Sequence, residues 1–216
     1  MMKKEKRVAY EGVVMLRLGI IILIFSAILS VLWTFQNIDQ LVSVFFLSIQ
    51  TNTGIKIMQF ISELGSSRAF LIISILFIIV LIWKRDYRAL GLYVIIAGVG
   101  QFLAPALKEI FQRVRPINTF IEGFGFPSGH TTASVILYGA ITFILYTKYG
   151  KRAYSVLLIP LIVGLSRLYL NVHWLSDVIG GFFFGGVWLM MCIFIFFSYQ
   201  KGAKKRQKRQ DLKVRS

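Results

Sequence analysis

The sequence predicts an all-α polytopic membrane protein, a bundle of six transmembrane helices with an amphipathic extracytoplasmic segment. Its 216 residues are 56% hydrophobic and only 16% charged, and the mean hydropathy is +0.71. A soluble domain of this size has too little interior to bury so much apolar surface. No segment of the sequence shows the alternation of apolar and polar residues that is typical of a membrane β-barrel.

Six stretches are long and apolar enough to be transmembrane helices, since crossing the hydrocarbon core takes about 20 residues. They are Val13–Phe35, Ser66–Trp83, Ala89–Leu107, His130–Tyr146, Ala153–Leu170 and Trp174–Phe197. Short connections join most of them, so we expect a single integral-membrane domain over residues 1–216. The first stretch follows a basic start, as in a signal peptide, but it is too long and lacks a small-residue cleavage site, which indicates an uncleaved anchor. The lone Cys192 excludes a disulfide framework.

Residues 36–65, between the first two stretches, are too many for a simple turn. Leu41, Val44, Phe45 and Ile49 recur at helical spacing within them. This pattern predicts one or two amphipathic helices that lie in the outer membrane interface.

The net charge of +16 is explained by where the cations lie along the chain. Lysines and arginines cluster before the first stretch, at residues 84–88, at residues 148–152 and in the tail. These segments share one side of a six-span arrangement, which the positive-inside rule assigns to the cytoplasm. We therefore expect basic cytoplasmic tails at about 1–12 and 200–216, in contact with anionic membrane lipids. Nucleic-acid binding would need a folded basic face with base-reading side chains, and none is visible.

The other side of this arrangement carries charges that topology does not explain. Apart from Arg17 near the start of the first stretch, the remaining cations are Lys56, Arg68, Lys108, Arg113, Arg115 and Arg167. The chain's two histidines, His130 and His173, lie at the same outer ends. Asp177 is the one acidic residue placed well inside a predicted span, and such a residue is costly unless it is paired. Asp177 is therefore a functional candidate by default.

His173 and Asp177 are four residues apart, so on a helix they share a face. A carboxylate one turn away can hold one imidazole N–H, fix the tautomer and leave the other ring nitrogen free to attack. The alternative is that Asp177 pairs with Arg167 and only seals the bundle.

Cations and backbone donors accompany this pair. Lys108 and Arg115 are seven residues apart, which is two helical turns on one face, and Pro116 ends that segment. Ser128 is a natural N-cap, and Gly129 lets the backbone approach closely, so N–H groups at a helix N-terminus are available to an anion. Each feature also has a simpler explanation as a cap, a snorkelling cation or an interface histidine. Together they suit a phosphoryl group, whose transition state spreads negative charge over its oxygens.

Three segments resemble, in order and spacing, the signatures of the type-2 phosphatidic acid phosphatase superfamily. They are "KEIFQRVRP" at 108–116, "PSGH" at 127–130 and "SRLYLNVHWLSD" at 166–177. The six-span layout resembles the bacterial membrane members, above all the phosphatidylglycerophosphatase B and undecaprenyl pyrophosphate phosphatase branches. The resemblance implies a multi-pass lipid phosphate phosphatase of a bacterial cell membrane, with its site on the extracytoplasmic face and both termini in the cytoplasm.

The resemblance also implies a role for each matching residue. His173 would form a phosphohistidine, with Asp177 orienting it, and His130 would protonate the leaving oxygen and then activate water. The residues that would bind the substrate phosphate are Lys108, Arg115, Ser128, Gly129 and Arg167. No metal or other cofactor is implied. The charges that lie near the motifs without matching them, interpreted as loop or interface charges, are Glu109, Arg113 and Glu122.

Three kinds of function remain open at this point. The first is a lipid phosphatase acting on phosphatidylglycerophosphate, with phosphatidic acid and undecaprenyl pyrophosphate as alternatives because the motifs contact phosphate and not tails. The second is a non-catalytic lipid-binding or transport protein, which would need the cations but neither His130 nor the His173–Asp177 pair. The third is a vanadate-dependent haloperoxidase, although those proteins are large and soluble. The sequence does not set the oligomeric state.

Overall fold

All regular structure in the described part of the chain is helical. The computed structural model describes residues 35–116 and 122–214, with side chains placed up to residue 197 except those of residues 147 and 148. The α-helices are α1 (Gln36–Ser48), α2 (Asn52–Glu63), α3 (Ser67–Trp83), α4 (Tyr87–Gly100), α5 (Leu103–Phe111), α6 (Gly129–Tyr149), α7 (Leu158–Tyr169) and α8 (Leu175–Val214). A 3₁₀ helix, Gly150–Leu157, joins α6 to α7. The predicted all-α class is therefore confirmed for these residues.

Within the described residues, four helical segments are long and apolar enough to cross a membrane. They are Tyr87–Phe111, Gly129–Tyr146, Gly150–Tyr169 and Leu175–Phe197. A fifth span results if Asn52–Glu63 and Ser67–Trp83, which are bent by 43° at their junction, are counted together. The first predicted span, Val13–Phe35, falls outside the described residues except for its last one, so the count of six stays a prediction. The same holds for a single domain over residues 1–216.

Three of the helices have an N-cap residue with a short polar side chain, the type of residue that is preferred at this position. The side chains of Thr51, Ser66 and Asp86 each accept a hydrogen bond from the N–H three residues ahead, at 3.0, 3.1 and 3.0 Å. Each satisfies a backbone donor that the first helical turn leaves unpaired. These caps separate α2, α3 and α4 without long loops.

The break between α4 and α5 is placed by a proline. Pro105 lies in the first turn of α5 and has no N–H to bond the carbonyl of Gln101, and its ring crowds that carbonyl. Gln101 and Phe102, just after the last residue of α4, consequently form a turn within the Tyr87–Phe111 span. This turn lines the cavity described below.

The bundle is organised around α6, which contacts α3, α4, α5, α7 and α8. Its buried Ile136 and Leu137 pack with Tyr93 and Ile96 of α4 in one apolar cluster. The opposite side of the bundle is apolar as well. The α3 side chains of Leu71, Ile72, Ile75, Leu76 and Ile79 are between 49% and 60% exposed. Helices that are apolar all round are typical of membrane spans, and this chain is a multi-pass membrane protein.

The amphipathic segment between the first two predicted spans forms two helices, α1 and α2. From Val42 onward the chain folds as one unit, and this segment is hydrogen-bonded to the end of α7. Gln50 Nε2 donates to the carbonyl of Tyr169 at 2.5 Å, and Ser43 Oγ donates to Asn171 Oδ1 at 2.6 Å. The segment therefore braces the turn that follows α7.

Candidate active site

A cavity of about 850 Å³ lies where several helix ends meet. The loop after α5, the N-terminus of α6 and the turn between α7 and α8 line it, together with residues of the α2–α3 and α4–α5 turns and of α7. The charged and histidine side chains that the sequence singled out and that line the cavity are Lys108, Arg115, His130, Arg167 and His173. Residues up to 65 positions apart in the sequence are thus brought to one space, which is what a joint role in binding an anion requires.

His173 lies in the turn before α8, two residues ahead of the helix start, and not on the helix. The expectation that His173 and Asp177 share a helical face is therefore wrong, yet the two side chains meet. Asp177 is the third residue of α8 and reaches back across the helix start. Its Oδ2 accepts from the N–H of Trp174 at 3.0 Å and lies 3.3 Å from Nδ1 of His173. In a capping box the carboxylate at the third helical position accepts from the N–H of the N-cap residue, as Asp177 does here. The same carboxylate also holds the imidazole of His173.

The other ring nitrogen of His173 fixes the tautomer. Nε2 lies 3.1 Å from Nη1 of Arg115, and a guanidinium can only donate. Nε2 must therefore accept, so the proton resides on Nδ1 and points to Asp177. Burial, helped by the cations Arg115, Arg167 and Lys108, lowers the pKa of His173 well below its ordinary range. The imidazole is neutral, with its lone pair on the nitrogen that Arg115 covers.

The sequence placed Lys108 and Arg115 on one helical face, and the structure corrects this. Helix α5 ends at Phe111, because Gln112 adopts a left-handed conformation with φ of 45° and turns the chain. Arg115 lies in the irregular segment beyond, where its Nε donates to the carbonyl of Gly123 at 3.0 Å. Burial lowers the pKa of the Arg115 guanidinium while Asp177 opposes that effect. Both cations still reach the cavity, by different local structures.

Ser128 is the N-cap residue of α6, but its hydroxyl does not cap the helix. The hydroxyl accepts instead from Thr131 Oγ1 at 3.0 Å, and Ser128 is fully buried behind the cavity wall. The predicted capping bond is therefore wrong. Gly129 does line the cavity, where a Cβ in its place would lie 3.9 Å from Nζ of Lys108. A helix N-terminus without a side-chain cap, next to a lysine, offers N–H groups and positive potential to an anion.

Arg167, near the end of α7, has one buried N–H group that makes no hydrogen bond. Its Nη1 donates to Ser62 Oγ at 2.5 Å, whereas its Nε is buried and has no hydrogen-bond partner. Buried donors in folded proteins are nearly always satisfied, so an orphan N–H beside a cavity indicates a missing acceptor. A phosphate oxygen would supply one.

Arg113 is the residue that the sequence interpretation missed. Its Nη1 donates to Asp177 Oδ1 at 2.8 Å and to Ser176 Oγ at 2.5 Å. Arg113 lies in the loop after α5, but its side chain is bound to the start of α8. Asp177 therefore forms its ion pair with Arg113 and not with Arg167, the alternative partner. Glu109, also interpreted as a loop charge, lines the cavity.

The groups around the cavity suit the binding of a tetrahedral anion and attack on it. It combines cations, two imidazoles and an uncapped helix N-terminus around one cavity. Among the side chains that the structure describes, up to residue 197, no group of three or more His, Cys, Asp or Glu is placed to hold a metal ion.

Comparisons with known proteins place this arrangement in a family. The model of the PAP2 superfamily matches residues 86–201. Phosphatidylglycerophosphatase B of Bacillus subtilis (strain 168) is 31% identical over 161 residues, which is 69% of this chain and 79% of that protein. Undecaprenyl-diphosphatase of Sulfolobus acidocaldarius is 29% identical over 180 residues, covering 77% of this chain and 83% of the relative.

Solved structures show the same likeness. The PAP2 type phosphatidylglycerolphosphate phosphatase from Bacillus subtilis superposes with a TM-score of 0.68 at 28% identity, covering 78% of this chain and 87% of that one. LpxE of Aquifex aeolicus gives a TM-score of 0.53 at 18% identity, covering 73% and 93%, and at that identity the likeness concerns the fold alone.

Proposed function

The chain belongs to the PAP2 superfamily and is a membrane lipid phosphatase, and from that premise we propose that it hydrolyses phosphatidylglycerophosphate to phosphatidylglycerol and phosphate. The main support for this chemistry is that His173, His130 and three cations line the same cavity. The choice of lipid rests on the relative that is 31% identical and on the similar solved structure at TM-score 0.68.

Binding begins with an exchange of partners at Arg115. In the absence of substrate its Nη1 covers the lone pair of His173 Nε2. A phosphate group entering the cavity draws this guanidinium onto its oxygens, which uncovers the nucleophile. Lys108, the orphan Nε of Arg167 and the N–H groups at Gly129 complete the binding site. Because these donors are already in place, little reorganisation is needed as charge builds up on the phosphoryl oxygens.

In the first step His173 Nε2 attacks phosphorus while the bond from phosphorus to the glycerol oxygen breaks. A protonated His130 gives its proton to that oxygen, so the glycerol oxygen of phosphatidylglycerol leaves as a hydroxyl group and not as an alkoxide. The imidazole becomes positively charged as the phosphohistidine forms, and the carboxylate of Asp177 beside Nδ1 stabilises that charge.

In the second step His130, now neutral, takes a proton from water, and the resulting hydroxide attacks phosphorus. The phosphorus–nitrogen bond breaks, phosphate leaves, and His173 returns to its neutral form. His130 regains the proton that it lost, so the cycle closes without a metal or other cofactor.

The cavity also carries apolar surface for the lipid tails. Phe70, Phe102 and Ala106 line it together with the phosphate-binding residues. Each methylene transferred out of water is worth about 0.8 kcal/mol, so the chains and not the head group should account for most of the preference for a lipid over water-soluble glycerol phosphate.

Phosphate release from a panel of purified lipids tests this proposal. We expect the highest kcat/KM with phosphatidylglycerophosphate, lower values with phosphatidic acid and undecaprenyl pyrophosphate, and very low values with glycerol phosphate. Activity should persist in EDTA, since every step is assigned to a side chain. Loss on chelation that a divalent ion restores would contradict the metal-free mechanism, and equal kcat/KM for glycerol phosphate would contradict binding through the tails.

The same panel addresses the second candidate substrate. The 29% identical relative named undecaprenyl-diphosphatase supports an enzyme that cleaves the diphosphate of a polyprenyl carrier. A kcat/KM at least about tenfold higher with undecaprenyl pyrophosphate than with phosphatidylglycerophosphate would assign the protein to that reaction.

We further propose that the site faces the extracytoplasmic side, as the positions of the basic segments favour. In a Cys192→Ser background, the exposed Glu122→Cys should react with an impermeant maleimide in intact cells. The exposed Lys151→Cys, in the connection between α6 and α7, should react only after the membrane is permeabilised. The reverse pattern would place the site on the cytoplasmic side.

A further inference from the structure

We propose that Arg113 is a positioning residue of the phosphatase reaction, which holds Asp177 ionised and oriented so that Asp177 in turn holds His173 for attack. The role of Arg113 in catalysis rests on the proposed phosphatase function. This role goes beyond that function because Arg113 lines no part of the cavity and matches none of the residues to which a catalytic or phosphate-binding role is assigned.

The contacts of Asp177 show why a second positioning residue is needed. The carboxylate is fully buried, and its two oxygens have separate partners. Oδ1 accepts from Arg113 at 2.8 Å, whereas Oδ2 accepts from the N–H of Trp174 and lies 3.3 Å from His173 Nδ1. With Oδ1 held by Arg113, the carboxylate cannot rotate away from the imidazole without losing an ion pair.

The segment that carries Arg113 reaches the imidazole from two sides. Arg113 acts on the Nδ1 side through Asp177, and Arg115 lies on the Nε2 side at 3.1 Å. Val114 between them points outward and is 79% exposed, so alternate residues face the site. The backbone fixes this alternation, because the carbonyl of Arg113 accepts from Gly125 N at 2.7 Å and that of Val114 accepts from Trp174 Nε1 at 3.0 Å.

Charge supplies the second part of the role. A buried carboxylate without a cation tends to take up a proton, and a protonated Asp177 would no longer attract the imidazolium that forms during attack. The groups that act on Asp177 are His173 and Arg113 in direct contact, and Arg115 and Lys108 electrostatically. Arg115 and Lys108 are expected to turn toward phosphate when substrate binds. Arg113 remains, since Ser176 and Asp177 anchor it.

The test compares Arg113→Met and Arg113→Lys with Arg68→Met, which removes an 85% exposed arginine whose partner Glu63 is 3.7 Å away. For Arg113→Met we expect kcat to fall about 10- to 100-fold. Losses of this size are typical when a group that orients a metal-ligating histidine is removed, and Arg113 orients His173 through Asp177 in a similar way. KM should change less than about threefold, because Arg113 does not contact substrate. The acidic limb of the kcat profile should move to higher pH. Arg113→Lys should recover part of kcat, and Arg68→Met should match the wild type.

Two further measurements separate positioning from a general structural effect. In an Asp177→Asn background, Arg113→Met should lower kcat by less than about threefold, because the residue through which it acts is already impaired. The thermal midpoint should fall in Arg113→Met and recover in the double variant, where no carboxylate is left unpaired. A raised KM with an unchanged pH profile would assign Arg113 to substrate binding. An unchanged kcat, or equal losses with and without Asp177, would overturn the inference.

The proposed function and this inference fail in different ways. If the wild type releases no phosphate from any lipid of the panel, the proposed function is wrong. The thermal midpoints of the four proteins in the Arg113–Asp177 cycle then still decide whether the arginine holds the carboxylate, since that readout needs no turnover.

Discussion

Replacing His173 with alanine should abolish turnover, with kcat/KM falling by about 10⁴-fold or more, as expected for removal of a nucleophile. His173 is 3% exposed, and its Nε2 lies 3.1 Å from Nη1 of Arg115, one of the cations that would hold the phosphate. The variant lacks the atom to which the attack on phosphorus is assigned. Initial rates with phosphatidylglycerophosphate in detergent micelles would measure the loss, and a folded control is given by an unchanged gel-filtration profile and thermal midpoint.

His130→Ala provides the matched comparison, because the two histidines act at different steps. Its turnover should also fall, but the first step can still proceed slowly, and the phosphohistidine should accumulate because no base activates water. Acid-labile, alkali-stable phosphate on His130→Ala, and none on His173→Ala or the double variant, would fit the assignment. Full activity in His173→Ala, or phosphate on that variant, would remove His173 as the nucleophile.

Replacing Asp177 with asparagine should lower kcat about 10²- to 10⁴-fold while KM stays nearly constant. The amide keeps the shape of the carboxylate but cannot stabilise an imidazolium, and by turning its NH₂ toward Nδ1 it favours the wrong tautomer. The loss in kcat would be measured over pH 5–8 to separate an effect on chemistry from a shifted profile.

The comparison for this prediction is Asp177→Ala, which also leaves Arg113 without its ion-pair partner. Its thermal midpoint should fall below that of the asparagine variant, because alanine removes the hydrogen-bond acceptor as well as the charge and leaves a cavity. An asparagine variant within twofold of the wild type would instead favour a role for Asp177 in sealing the bundle.

Much of the architecture followed from local pattern. The apolar runs predict four of the spans in the described residues within a few positions, because the length needed to cross a bilayer is written directly into composition. The 36–65 segment was predicted as one or two amphipathic helices and forms two, α1 and α2. The three family segments identified the side chains of the cavity, and the match to the PAP2 superfamily confirms that resemblance.

The details of the site followed from tertiary structure, and the end of α5 illustrates the reason. Helical periodicity continued through residue 115 would place Arg113 and Arg115 about 200° apart around the axis. The helix stops at Phe111 because Gln112 takes a left-handed conformation, which glycine or asparagine would have signalled but glutamine does not. Beyond that turn alternate residues share a side, so both arginines face the site.

The sequence by itself determined which segments are long and apolar enough to cross the membrane and which residue types stand at their ends. Only the tertiary structure decided which side chains form ion pairs and hydrogen bonds with each other. Arg113 and Asp177 are 64 residues apart, and their contact depends on how the loop after α5 lies across the start of α8. The N-cap hydroxyl of Ser128 was likewise redirected to Thr131. Local propensity governs hydrogen bonds within a few residues, whereas a buried ion pair is selected by the packing that excludes water around it.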